Sequence, residues 1–291
     1  MTAEPAARPG LYRLLAWLSP NFPIGAFSYS HGLEAASAGG AVCDAASLQG
    51  WVAAIIAQGS GRIDADILVE AYRTAEGGQF AALDAANRRG LAYRATAELA
   101  LEAAQQGEAF LNTCRAAWPE PLLEAWARSR NHSNPPPQVG EGRVGAGAEG
   151  GKEGATSYKV GDRGKYPAHP DPVLAQAPTL TLPRLRGRGE PDGVCHSAVF
   201  GAVAARAGIA LDDALIGFLE AFAANLVSAG LRLGIIGQTD GQRILAALEP
   251  VVGNAAAAAL SRKAADFGAA TFAADLASMA HESQYMRLFR S

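Results

Sequence analysis

No GxxxxGK[ST] loop occurs in the sequence, so nothing in it cradles and neutralises nucleotide phosphates in that way. No GxSxG elbow marks a nucleophilic serine. His281-Glu282 lacks the HExxH register, because Tyr285 stands where the second histidine would be. The histidines His31, His132, His169, His196 and His281 form no HxH or HxxxH pair, and Cys195-His196 is the only adjacent pair of soft ligands. Neighbouring side chains on a helix diverge, so that pair alone does not converge on a metal. Cys43, Cys114 and Cys195 are widely spaced and odd in number, which excludes a disulfide framework and a CxxC knuckle and fits a reducing cytoplasm. A basic face is missing too: the net charge is -3 and the pI about 6.0, which argues against a nucleic-acid partner. A GxGxxG does occur at Gly140, Gly142 and Gly145, but neither a strand before it nor a helix after it supplies the context of a dinucleotide fingerprint.

What the sequence does contain is alanine, the best intrinsic helix former, and helical spacing of its apolar residues. Leu48, Trp51, Val52, Ile55 and Ile56 fall at i, i+3, i+4, i+7, i+8 behind a cap at Asp44 or Ser47. The spacing predicts helices over about 11–18, 27–38, 48–58, 64–75, 79–92, 95–116 and 120–129. After a gap it predicts further helices over about 196–207, 211–235, 240–247, 254–268 and 273–282. Ser19-Pro20-Asn21-Phe22-Pro23-Ile24-Gly25 breaks the first of these. The apolar run Leu215 to Gly237 holds Glu220, Asn225 and Arg232, which marks a buried core helix with a paired arginine rather than a membrane span. The amino-terminal apolar stretch, Leu11 to Leu18, is too short for a signal peptide. No stretch alternates like a strand. The fold class is therefore all-α: a single-domain helical bundle of about ten helices, in a soluble cytoplasmic protein.

Residues 131–193 differ in kind. Roughly one third of them are glycine or proline, and their large apolar residues show no period. Such a segment cannot bury enough surface to offset chain entropy, so it reads as a disordered insertion between two parts of one helical domain, 10–130 and 194–291.

Three blocks carry a family resemblance. Leu18 to Glu34 resembles the SPxxPxGxFSxSxGLE signature of the urease accessory family UreF. Arg232-Leu233-Gly234 followed by Gly237-Gln238-Thr239-Asp240-Gly241-Gln242 resembles that family's RLxxxGQxxGQ segment. The tail Arg287-Leu288-Phe289-Arg290-Ser291 completes the set, while Cys195 to Gly201 resembles the HxPVxFG block with departures at Ser197 and Ala198. The resemblance implies a non-catalytic, homodimeric assembly chaperone needed for nickel insertion into the urease apoenzyme. Such a protein binds no cofactor tightly, leaves nickel to the complex, bridges UreD (also called UreH) and the GTPase UreG, and modulates the GTPase. It puts Arg287, Leu288, Phe289, Arg290 and Ser291 in a UreD-binding tail that orders on complex formation. It puts Glu34, with Phe27 and Tyr29, on the GTPase-facing side. An amphipathic terminus with a Leu-Phe anchor between arginines suits coupled folding and binding.

Overall fold

In the computed structural model, residues 9–133 and 193–291 are described, and among them the regular elements are helices. In chain order these are α1 (Pro9–Trp17), α2 (Leu33–Ala38), α3 (Ala45–Gln58), α4 (Ser60–Glu76), α5 (Phe80–Ala92), α6 (Ala97–Ala117) and α7 (Pro121–Ser133). Then follow α8 (His196–Arg206), α9 (Leu211–Arg232), α10 (Gln238–Ser261) and α11 (Phe272–Glu282). Single 3-10 turns lie at Ala26–Ser28 and Ala264–Asp266. Most of the segment read as a disordered insertion lies outside the described residues, as does the GxGxxG; α7 runs three residues into the predicted insertion, to Ser133.

The centre of the bundle is α4, whose Ile63, Ala65, Ile67, Leu68, Val69, Ala71 and Ala75 are all buried. Its most extensive partner is α8, with α3, α5, α9 and α10 packed around the pair. The α4–α8 crossing is close because Gly201 of α8 lies on the Leu68 backbone: a Cβ there would fall 2.5 Å from the Leu68 carbonyl oxygen. One continuous apolar core joins the elements on either side of the undescribed segment. Within it, Trp17, Phe22, Phe110, Trp118, Phe200 and Phe218 form a chain of edge and tilted ring contacts, a geometry aromatic quadrupoles favour. The helices α9 and α10 are each long and apolar enough to cross a membrane. Here they pair with each other and pack against α3 and α4 in the shared core.

Local chemistry explains where the elements begin. Asp44 caps α3 in a reciprocal box, its carboxylate accepting from the Ser47 amide at 2.8 Å while the Ser47 hydroxyl accepts from the Asp44 amide at 3.0 Å. Thr96 caps α6 through the Leu99 amide at 3.2 Å.

Four sequence expectations need correction. The predicted helix over 27–38 is a 3-10 turn, an extended link and a short α2, because His31 (φ 52°) and Gly32 (φ 74°) are left-handed. Residues 60–63, left between the helices predicted over 48–58 and 64–75, belong to α4, where the missing Cβ of Gly61 leaves room for the Ile56 backbone. The helices predicted over 240–247 and 254–268 are one helix, α10, which continues through Pro250. Pro250 and Ala246 are both exposed, so the carbonyl deprived of its partner faces water. Arg232, expected to be buried and paired at mid-helix, lies in the last turn of α9, exposed, and its partners are the Ser228 and Phe27 carbonyls, to which it donates.

Candidate functional site

Beyond α11 the chain turns back as a strap, residues 284–291, and lies in a cradle made by the 28–34 link, α2 and α6. The strap binds through its backbone. The Leu288 and Phe289 amides donate to the two carboxylate oxygens of Glu34 at 2.7 and 2.9 Å. The Arg290 amide donates to the Ser28 carbonyl at 2.7 Å, and the Ser30 amide donates to the Ser291 carbonyl at 2.8 Å. The Ser30 hydroxyl also reaches the Ser291 carbonyl. Phe289 is buried, with the Arg232 guanidinium 4.4 Å above its ring, a cation–π contact that seats the strap against the end of α9.

The cradle is unusually polar for its depth. Glu98, Glu102 and Gln106 recur every fourth residue on α6, so they share one face, and all three are buried. Glu98 accepts from Arg287 at 2.6 Å and from His281 Nδ1 at 2.7 Å. The other nitrogen of His281, Nε2, is 3.1 Å from Glu34. Glu102 meets His31 Nε2 at 2.9 Å, Gln106 at 2.9 Å and the Ser291 hydroxyl at 3.0 Å. His31 Nδ1 is 3.2 Å from the Ser60 hydroxyl. Buried carboxylates need such partners, because an unpaired charge loses its hydration without return. Burial pushes the His281 imidazole down, but the hydrogen bonds and charges of Glu98 and Glu34 outweigh it, and the ring sits above the ordinary histidine value.

The backbone accommodates this arrangement at two residues. Left-handed His31, uncommon for a residue with a Cβ, aims its ring at Glu102. Gly32 lets α11 close in, since a Cβ there would lie 2.6 Å from the Ser278 amide nitrogen.

The residues expected on two separate partner surfaces meet at this one place. Glu34 is buried under the strap rather than solvated on a helix face. Tyr29 is also buried, its hydroxyl donating to Gln105 at 2.5 Å, whereas Phe27 is exposed. In the tail, Phe289 and Ser291 face inward while Leu288 and Arg290 face out. Within the single chain the strap is seated in this cradle. Sequence reasoning also missed Ser30, His31, Glu98, Glu102 and His281. The one signal for them was the four-residue spacing of Glu98, Glu102 and Gln106 on α6.

Cys195 and His196 begin α8 as a pair that does diverge. The thiol receives an Arg94 N–H at 3.3 Å, and the imidazole packs among Phe110, Phe200 and Phe218. Burial pushes His196 down to about 4, so its ring is neutral at physiological pH. Arg94 is itself buried against Asp64, with contacts at 2.6 and 3.1 Å. Burial raises the Asp64 carboxyl, but the Arg94 charge and hydrogen bonds, with Ser197, more than offset this and leave it below its usual range.

Among the described residues these features define a helical protein whose residues 287–291 are clamped by buried carboxylates against the 28–34 link, α2 and α6. The UreF family model matches residues 42–249, between the signature loop and the strap. Relatives named "Urease accessory protein UreF" extend the likeness over nearly the whole chain. The one from Bradyrhizobium sp. (strain ORS 278) is 39% identical over 281 residues, covering 97% of this chain and 92% of the relative. That from Rhodopseudomonas palustris (strain HaA2) is 38% identical over 291 residues, 100% and 97% of the two chains. That from Azorhizobium caulinodans is 37% identical over 289 residues, 99% of each. The chain belongs to the UreF family.

Proposed function

We propose that the chain acts in urease maturation as a non-catalytic assembly factor in the cytoplasm, working through docking surfaces, with nickel passing as cargo of the complex. In this reading the strap Arg287–Ser291 is the element that meets UreD, and the same end of the molecule serves the GTPase UreG. The observation that carries it is the strap itself. Its backbone is held in the cradle, while Tyr285, Met286 and Leu288 stand exposed. Phe27, exposed as well, precedes Ser28, whose carbonyl takes the Arg290 amide. Apolar side chains presented on a fixed backbone are what a partner recognises with little ordering entropy left to lose. Glu34 acts from beneath the strap by setting its path, and Phe27 is the member of the former GTPase-side group open to a partner. A homodimer would present this surface twice.

Co-purification tests the reading directly. The chain expressed with its UreD partner should elute as one complex on size exclusion, and the chain lacking residues 287–291 should not. Urease matured in cells carrying the truncated chain should lose activity in parallel. A truncated chain that still binds and still supports urease activity refutes the role of the strap.

A further inference from the structure

His31 joins a hydroxyl to a carboxylate. Its Nε2 lies 2.9 Å from Glu102, and its Nδ1 lies 3.2 Å from the Ser60 hydroxyl. A carboxylate only accepts, so Glu102 fixes the ring proton on Nε2 and leaves the Nδ1 lone pair to the Ser60 O–H. The neutral imidazole satisfies both contacts. Glu102 is anchored in turn by Gln106 at 2.9 Å, and the ring stands edge-on to Phe222, with 4.8 Å between centroids. A hydroxyl, an imidazole and a carboxylate thus follow one another in the order of a serine hydrolase triad. Such a triad is recognised by geometry and roles, not by sequence position.

The hydroxyl also has the setting that a nucleophile needs. Ser60 is half-buried and lines a cavity of about 270 Å³. It is the first residue of α4, and the Ser60 and Gly61 amides have no backbone acceptor among the described residues. Those amides, with the helix dipole behind them, favour negative charge developing beside Ser60. Ile63, Ala92, Ala95 and Leu99 give the cavity an apolar lining. Arg94 borders it too but is already paired with Asp64, so Asp275 is the unbalanced charge there. This lining suits a short, uncharged acyl group and disfavours an anionic one. His31 reaches the serine from its left-handed backbone (φ 52°), a conformation that clusters at functional sites when a residue carries a Cβ.

We propose that Ser60, His31 and Glu102 form an acyl-transfer centre for short, uncharged esters, separate from the chain's part in urease maturation. Ser60 Oγ bonds to the acyl carbon while its proton passes to His31 Nδ1. The ester C–O bond breaks, and the leaving alkoxide takes that proton and departs as an alcohol. Water then attacks the acyl carbon, its proton passing through His31 to Ser60 Oγ as the carboxylic acid leaves. Glu102 acts through His31 as a positioning residue. The three members come from the 28–34 link, α4 and α6, and none lies in the strap. The centre therefore stands or falls independently of any docking surface.

The test is a fluorophosphonate probe on the full chain, with peptide mass spectrometry to place the adduct. Ser60 should carry the label, and the chain should hydrolyse 4-nitrophenyl acetate at a rate that Ser60→Ala loses. His31→Asn, a residue that accepts the left-handed backbone, should slow labelling about a hundredfold or more. Glu102→Gln should slow it as well and move the His31 ring proton from Nε2 toward Nδ1, read in the ring ¹⁵N shifts. A chain that the probe leaves unmodified, or modifies at a residue other than Ser60, overturns the proposal, and that mapping needs no variant to fold. A folded His31→Asn chain labelled at the parent rate overturns it too, as does a Glu102→Gln chain with both labelling and tautomer unmoved.

Discussion

Replacing Glu34 with alanine should free the strap while leaving the bundle folded. The carboxylate accepts from the Leu288 amide at 2.7 Å, the Phe289 amide at 2.9 Å and His281 at 3.1 Å. A hydrogen bond to a charged group contributes roughly 1.5–3 kcal/mol net of water, so the two amides together represent about 3–6 kcal/mol of strap closure. Ser30, Arg287 and the Phe289 ring keep their own contacts, so we take the lower end, about 3 kcal/mol. At 1.4 kcal/mol per tenfold, that raises the open fraction of the strap about a hundredfold. Hydrogen exchange followed by mass spectrometry reads it directly. The peptide covering 284–291 should lose its protection, while peptides from α4 and α8 exchange as before. If the strap peptide of Glu34→Ala stays as protected as in the parent, the carboxylate does not hold it. If the core peptides lose protection to the same degree, the effect is global and the local reasoning is wrong.

Three further outcomes are expected. Arg94→Leu leaves Asp64 buried without its counter-charge and should cost about 3–5 kcal/mol by denaturant unfolding, and adding Asp64→Leu should recover most of it; a double variant no more stable than the single one contradicts this. Gly201→Ala forces α8 off the Leu68 backbone and should cost about 1–3 kcal/mol, and an unshifted unfolding midpoint rules out the close crossing. Replacing residues 134–192 with a short glycine–serine linker should leave Tm and UreD binding unchanged, because Arg130 of α7 donates to the Gly193 carbonyl and so the two ends already meet; loss of either property refutes it.

The bundle was legible because burial imposes a period. The Leu48, Val52, Ile55, Ile56 stripe is buried as its spacing requires, and Asp44 with Ser47 builds the cap their separation suggests. The left-handed pair His31-Gly32 was not legible, since it depends on α11 arriving from 240 residues downstream. The helices expected over 240–247 and 254–268 are joined through Pro250, which an exposed helix face tolerates. The cradle was hidden most completely. Glu34, Glu98, Glu102 and His281 each look like a solvated surface group where they stand. Only the strap, folding over them, turns them into one buried network.

The crossing of α4 and α8 gives the alanine content a second meaning. Ala65, Ala71, Ala198, Ala202 and Ala204 are buried in these two helices, and Gly201 is their closest point. Their small size acts as spacing between rigid rods, independent of helix propensity. Drift at such positions is one-sided: a loss of volume leaves a small void, whereas any gain must move a helix axis. Substitution by any larger residue at these positions is therefore expected to cost more than substitution anywhere on the exposed faces.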